Sequence, residues 1–206
     1  MVFPSAYIAA NRQGLGERFF RLGQVALTAP LTPALSMADR AFSMRLLFMA
    51  FQGMSEDRIT VLGEELVQEI LKSRISTNAF ELLGRAKAEG HTIVLVSESI
   101  AQIAGPLLGR IGNIDHLICN HLVFRNRIAT GKLQKPVIGG TGTARALREF
   151  AREHGIDLST SVAYGSSRSD QILLETVGKP VAVNPDPFLR WTARQSEWPV
   201  LSLPRP

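Results

Sequence analysis

The sequence predicts an α/β fold built on a doubly wound parallel sheet, and three observations predict it. Thr92-Ile93-Val94-Leu95-Val96 is a continuous, largely β-branched apolar run, the mark of a strand buried on both faces. Ser161-Val162-Ala163-Tyr164-Gly165 is a second such strand. Helix and strand signals alternate from residue 76 onward, as βαβ units require. A chain of 206 residues is long enough for one domain, or for one domain carrying an insert.

The elements follow in order. Residues 15–75 have a helical period, with Leu62, Leu66 and Ile70 on one stripe and Ser55-Glu56-Asp57 as a helix start. Pro30 and Pro33 divide this stretch into two or three helices, read as an insert after a short first strand. The strand at 92–96 ends at Ser97-Glu98-Ser99, whose polar side chains open a helix from Ile100 to Leu108. Residues 116–134 read as a strand and then a hairpin turning near Arg125-Asn126-Arg127. A helix from Thr143 to His154 aligns Leu147, Phe150, Ala151 and His154, and Gly155 ends it. After the strand at 161–165, Ser166-Ser167-Arg168-Ser169-Asp170 leads into a helix Gln171–Val177, with Gly178 as its C′ glycine. Val181-Ala182-Val183 and Val200-Leu201 are short further strands.

Composition narrows the functional classes. Apolar residues make up 45% and charged residues 20%, which supports a core and excludes a disordered chain. Cys119 is the single cysteine, so an intramolecular disulfide and multi-cysteine metal sites are excluded. The net charge is +5, all of it in residues 101–206, where 13 Lys and Arg face 8 Asp and Glu. These charges are dispersed and not interleaved with Tyr or Trp, which argues against nucleic acid and leaves a solvated face or an anionic partner. No positive charge precedes Arg12, a poor start for a signal peptide, and the run Leu46–Phe51 is far short of the roughly 20 residues that span a bilayer. A soluble, cytoplasmic protein without a transmembrane segment is expected.

Several stretches together resemble the haloacid dehalogenase superfamily, in its phosphoserine-phosphatase-like branch. Ala163 to Asp170 resembles the family's fourth motif, and Val177-Gly178-Lys179-Pro180-Val181-Ala182-Val183-Asn184-Pro185-Asp186-Pro187 resembles the segment downstream of it. Val94-Leu95-Val96-Ser97 looks like the second motif, and Gly140-Thr141-Gly142-Thr143 precedes a helix where the family keeps its third-motif lysine. The similarity covers roughly residues 5–203. It implies a Rossmannoid three-layer α/β sandwich with a helical cap inserted after the first strand: core 1–14 and 76–206, cap 15–75.

The family's chemistry needs an aspartate nucleophile, a second aspartate as acid and base, and Mg²⁺ held by carboxylates. A hydroxyl and a lysine bind the remaining phosphate oxygens. The resemblance puts the first strand at Tyr7-Ile8, Ala9 at the nucleophile and Asn11 at the acid/base position. No Asp precedes Asp39 in the sequence. Thr143 stands at the lysine position, with Lys132 and Lys135 upstream, and Ser166 stands at the metal-binding Asp. What remains is Ser97 and Asp170, the candidate ligand-binding residues. Charge has been removed from every one of these positions together, so the expectation is a pseudoenzyme without bound Mg²⁺, acting as a binding or regulatory module. The alternatives are a weak or repurposed phosphate-ester hydrolase, and a structural partner of another enzyme, with lipid or acyl metabolism a context by analogy.

Each candidate has a plainer reading. Asp170 can pair with Arg168 or cap the helix at Gln171, and Ser97 can satisfy local backbone instead of a phosphate. Gly139-Gly140-Thr141-Gly142 lacks the Gly-Lys-Ser/Thr of a Walker loop. His116 and His121 point to opposite faces of a strand, so they make no shared metal site around Cys119. Phe42, Leu46, Leu47, Phe48, Met49, Phe51 and Met54 are either cap core or the surface for a protein partner or a second copy; Leu47, Phe48 and Phe51 are the partner-surface candidates.

Overall fold

The computed structural model describes residues 40–71 and 77–204. The described residues divide into two compact units, the first ending at Val137 and the second beginning at Ile138. The first strand at Tyr7-Ile8, with Ala9 and Asn11, lies outside the described residues.

In the first unit, helix α1 (Arg40–Phe48) runs into a 3-10 turn, Met49–Phe51, and helix α2 (Glu56–Leu66) follows. Ser55 caps α2 by accepting from the Arg58 backbone N–H, and Glu56 and Asp57 sit in the first turn, where carboxylates complement the helix dipole. After a π-helical turn, Val67–Leu71, come α3 (Thr77–Ala88), β1 (Val94–Ile100) and α4 (Ala101–Ile111). Strand β2 (His116–Asn120) pairs with β1 in parallel, Val94 opposite His116. Strands β3 (Leu122–Arg125) and β4 (Ile128–Leu133) form the expected hairpin. Its two loop residues, Asn126 and Arg127, both have positive φ, 49° and 62°, the twist a two-residue hairpin loop needs. Arg127 tolerates it because it is anchored: its carbonyl accepts from Glu56 N–H and its guanidinium meets Asp57 at 2.6 Å.

Met44, Leu47, Phe48, Phe51, Met54, Ile59, Leu62 and Leu66 pack with Ile100, Ile103, Leu122, Ala129, Leu133 and Val137 in one cluster. This corrects the partner-surface reading. Leu47 and Phe48 are 5% exposed and Phe51 1%, so their side chains are core, while Met49 projects outward, at 50%. The apolar stripe was wide because it is covered by α2, α4 and the hairpin together. Gly63 permits the close crossing of α2 and α4, since a Cβ there would lie 2.0 Å from the Gln102 carbonyl oxygen.

The second unit begins with α5 (Thr141–His154), which Gly155 ends at φ 64°, a left-handed cap as expected. Strands β5 (Val162–Gly165), β6 (Lys179–Val183) and β7 (Val200–Leu201) make a parallel sheet in the order β5-β6-β7. Between β5 and β6 lie a 3-10 turn, Arg168–Asp170, and a single-turn helix α6 (Gln171–Leu174), shorter than the helix to Val177 that the sequence suggested. Helix α7 (Pro187–Gln195) packs back through Leu189 and Ala193 onto Ala163, Leu174 and Ala182. Gly178 is not a left-handed helix cap. It is required by close approach: a Cβ there would lie 1.8 Å from the Ser159 carbonyl oxygen, which is where the chain enters β6 beside β5.

Candidate functional site

Parallel sheets place chemistry at the carboxyl ends of their strands, where loops can be varied without touching the core. Of the candidate residues, Ser166 to Asp170 follow the carboxyl end of β5 in the second unit, while Ser97 lies within β1 in the first.

At the first, the extended chain does not stop at Val96. It continues to Ile100, with a register irregularity between Val96 and Ile100. Ser97 Oγ accepts from the Ser99 backbone N–H at 3.1 Å, so the hydroxyl satisfies its own strand. The Glu98 carbonyl accepts from the buried Asn120 side chain at 2.7 Å, which ties the irregular stretch to β2. Ser97, Glu98 and Ser99 do not cap α4; its N-cap is Ile100, without a side-chain bond.

At the second, one carboxylate oxygen organises the loop. Asp170 Oδ2 accepts from Ser166 N–H at 2.8 Å, Ser167 N–H at 2.9 Å and Ser167 Oγ–H at 3.0 Å. Three donors on one oxygen make Asp170 the keystone of its own turn. Gly165 is the matching vacancy, since a Cβ there would lie 2.6 Å from Asp170 Cβ. Asp186, in the Asn184-Pro185-Asp186-Pro187 segment, holds the same loop from the other side. Its Oδ2 accepts from Arg168 N–H at 2.8 Å, and its Oδ1 accepts from Leu189 N–H at 2.7 Å as the cap of α7. Ser166, at the metal-binding position, is exposed, and its carbonyl accepts from Asp186 N–H.

The pairing of Asp170 with Arg168 is not seen. The Arg168 guanidinium lies 4.0 Å over the Phe188 ring, and among the described residues no ion pair joins it to Asp170. Thr143, at the lysine position, is buried, and its hydroxyl accepts from Gly139 N–H at 3.0 Å, closing the turn that starts α5. Lys132 and Lys135 are exposed on and just after the hairpin, in the first unit. Cys119 is buried, and desolvation pushes its thiol up to about 11; its sulfur lies 3.9 Å from His121 Nε2. Among the described residues, no group of three His, Cys, Asp or Glu side chains is placed to hold a metal ion.

Mg²⁺ is bound through one or two carboxylates in near-octahedral oxygen geometry. The loop after β5 offers a neutral hydroxyl at Ser166 and a carboxylate already bonded to its own turn, a donor set that does not fit that ion. The sequence reading missed Asp186 as the loop's second anchor. The signal was there, an Asp immediately before a proline that opens a helix.

Comparison with known proteins bears on this architecture. The family model for haloacid dehalogenase-like hydrolases matches residues 5–175. The chain is 32% identical over 82% of its length to the "Inhibition of morphological differentiation protein" of Streptomyces azureus, and 30% identical over 79% to a phosphoserine phosphatase of Mycobacterium tuberculosis. It spans 61% and 52% of the length of these two relatives. A Bordetella pertussis protein of unknown function superposes with a TM-score of 0.80, covering 97% of this chain and 89% of that one at 19% identity. A phosphoserine phosphatase captured as a phospho-aspartyl intermediate analogue superposes with a TM-score of 0.66, covering 100% of this chain and 87% of that one at 16% identity. With its parallel α/β sheets and its ordered motif positions, this chain belongs to the haloacid dehalogenase-like hydrolase family.

Proposed function

We propose that this chain keeps the phosphatase scaffold without phosphotransfer chemistry and serves as a binding or regulatory module. The observation that carries the reading is the absence of any Asp before Asp39, while the family match begins at residue 5. By the resemblance, Ala9 and Asn11 stand at the nucleophile and acid/base positions, and neither of these two side chains supplies the carboxylate that forms the covalent intermediate. The loop after β5 supports it independently. Asp170 and Asp186 are bound to backbone amides, and Thr143 closes a turn where a lysine would reach for phosphate. In this reading residues 15–75 are a cap over a cleft that no longer turns over, and Mg²⁺ is not a cofactor.

The competing reading is a hydrolase, as the names of relatives such as the M. tuberculosis phosphatase suggest. The full chain, assayed with p-nitrophenyl phosphate and phosphoserine with and without Mg²⁺, is expected to show no turnover above a heat-treated control. Calorimetric titration with Mg²⁺ is expected to show no saturable heat. Mg²⁺-dependent turnover that disappears on Ser97→Ala or Asp170→Asn would overturn the proposal and assign the chain to the hydrolases.

A further inference from the structure

Helix α7 turns an aromatic face outward. Phe188 is 40% exposed and Trp191 61%, and their rings meet at 6.4 Å. Successive residues turn by about 100° on an α-helix, so Leu189, Thr192 and Ala193, all buried, fix the inward side. Trp191 and Phe188 then occupy the outward side, with Arg190 and Arg194 along one flank. The Arg168 guanidinium, stacked on Phe188, marks the other. All three arginines are exposed, and among the described residues none of them meets a carboxylate. Asp186, the carboxylate bonded into this corner, accepts from backbone N–H groups with both oxygens and forms no ion pair with these guanidiniums.

An exposed aromatic centre with cations on both flanks attracts an anionic partner. The face is the convex outside of a helix, which gives a peptide no groove to lie in. It repels a second copy of itself, since arginine would oppose arginine. A planar anionic surface satisfies both constraints, with aromatic rings at headgroup depth and guanidiniums on lipid phosphates. We infer that Arg168, Phe188, Arg190, Trp191 and Arg194 form a docking patch for an anionic lipid bilayer. The inference is independent of whether the chain turns over phosphate esters.

The full chain is mixed with vesicles of phosphatidylcholine alone or phosphatidylcholine with phosphatidylglycerol, at low and at physiological salt. Co-sedimentation is expected with the anionic vesicles alone, and it weakens as salt rises. Arg190→Ser with Arg194→Ser is expected to weaken it by about tenfold or more, with an unchanged circular dichroism spectrum. Tryptophan emission shifts to the blue on binding, and Trp191→Phe removes that shift while leaving sedimentation largely intact. Trp198, partly buried against the second unit's core, contributes little to the shift. Three results would overturn the inference: no sedimentation with anionic vesicles at low salt, sedimentation unaffected by the arginine changes, or retention by polyaspartate without vesicle binding, which would assign the patch to acidic peptides.

Discussion

The two units are held together by different means. The first rests on bulk. Among the described residues, fourteen buried side chains form its cluster, most of them Leu, Ile, Met or Phe drawn from helices and a hairpin far apart in the chain. Around its sheet the second has a buried cluster of five, three of them alanine, and it adds close approach and bonded carboxylates. Where side chains are small, backbones come near enough that a single Cβ or a single carboxylate decides the geometry. The same residues that make the loop after β5 resemble a catalytic motif are the ones that knit this smaller unit together.

The sharpest way to break the comparison is to attack each unit by its own means. Phe51 is 1% exposed, and its ring lies tilted against that of Phe48, with centroids 5.6 Å apart. Phe51→Ala is expected to cost about 3–5 kcal/mol in a denaturant titration, from lost burial plus the cavity left behind. Native stability or a native melt for Phe51→Glu would instead return that residue to the surface. In the second unit the corresponding move is to add an atom. Gly165→Ala pushes a methyl into Asp170 Cβ and Leu174, 2.6 Å and 3.2 Å away, and is expected to cost about 1–3 kcal/mol as overpacking.

A smaller effect separates the loop after β5 from Ser97 in β1. Asp170→Ala leaves three donors without their acceptor and is expected to cost about 1–2 kcal/mol, in the range of a lost cap. Ser97→Ala removes one intra-strand bond and is expected to cost under about 1 kcal/mol. Combining Gly165→Ala with Asp170→Ala should cost less than the sum, because the glycine change already displaces the carboxylate. Additive values would mean that the loop and Gly165 are independent, and the knitted-loop account would fail.

Much of this architecture was legible in the sequence, for reasons that can be named. The run at 92–96, the hairpin turn at Asn126-Arg127 and the stop at Gly155 each follow from local chemistry: β-branching, paired positive φ and a left-handed cap. The failures involve a distant partner. Gly178 looked like a cap because the neighbour that excludes its side chain, Ser159, is not adjacent in sequence. Leu47, Phe48 and Phe51 looked too apolar for one helix face because three separate elements cover them. At the candidate site, the residue types at Ser166, Thr143 and Asp170 were plain from the resemblance. Their hydrogen bonds, and the anchoring by Asp186, depend on which backbone amides the fold brings near.

The smallest effect distinguishes the units by electrostatics. Each has an exposed aspartate that fastens a loop, and both carboxyls are held below the ordinary value of 3.8. Asp115 is lowered first by the Ile93 backbone N–H, then by Lys87, its ion-pair partner. Asp157 is lowered first by the Ser159 hydroxyl and then by the Ser159 backbone N–H, with no neighbouring charge contributing. A carboxyl depressed in the folded state stabilises the fold above its unfolded pKa, and that contribution is lost as pH falls through the folded value. Both loops are therefore expected to loosen only below 3.8, not near neutrality. Salt tells them apart, because it screens exposed charges and leaves short hydrogen bonds intact. In a carboxyl-carbon NMR titration, added salt should move the Asp115 midpoint up toward 3.8, as Lys87→Met should, while the Asp157 midpoint stays in place. If both midpoints move alike, charge and not hydrogen bonding holds the second unit's loop, and the contrast drawn between the units does not extend to their surfaces.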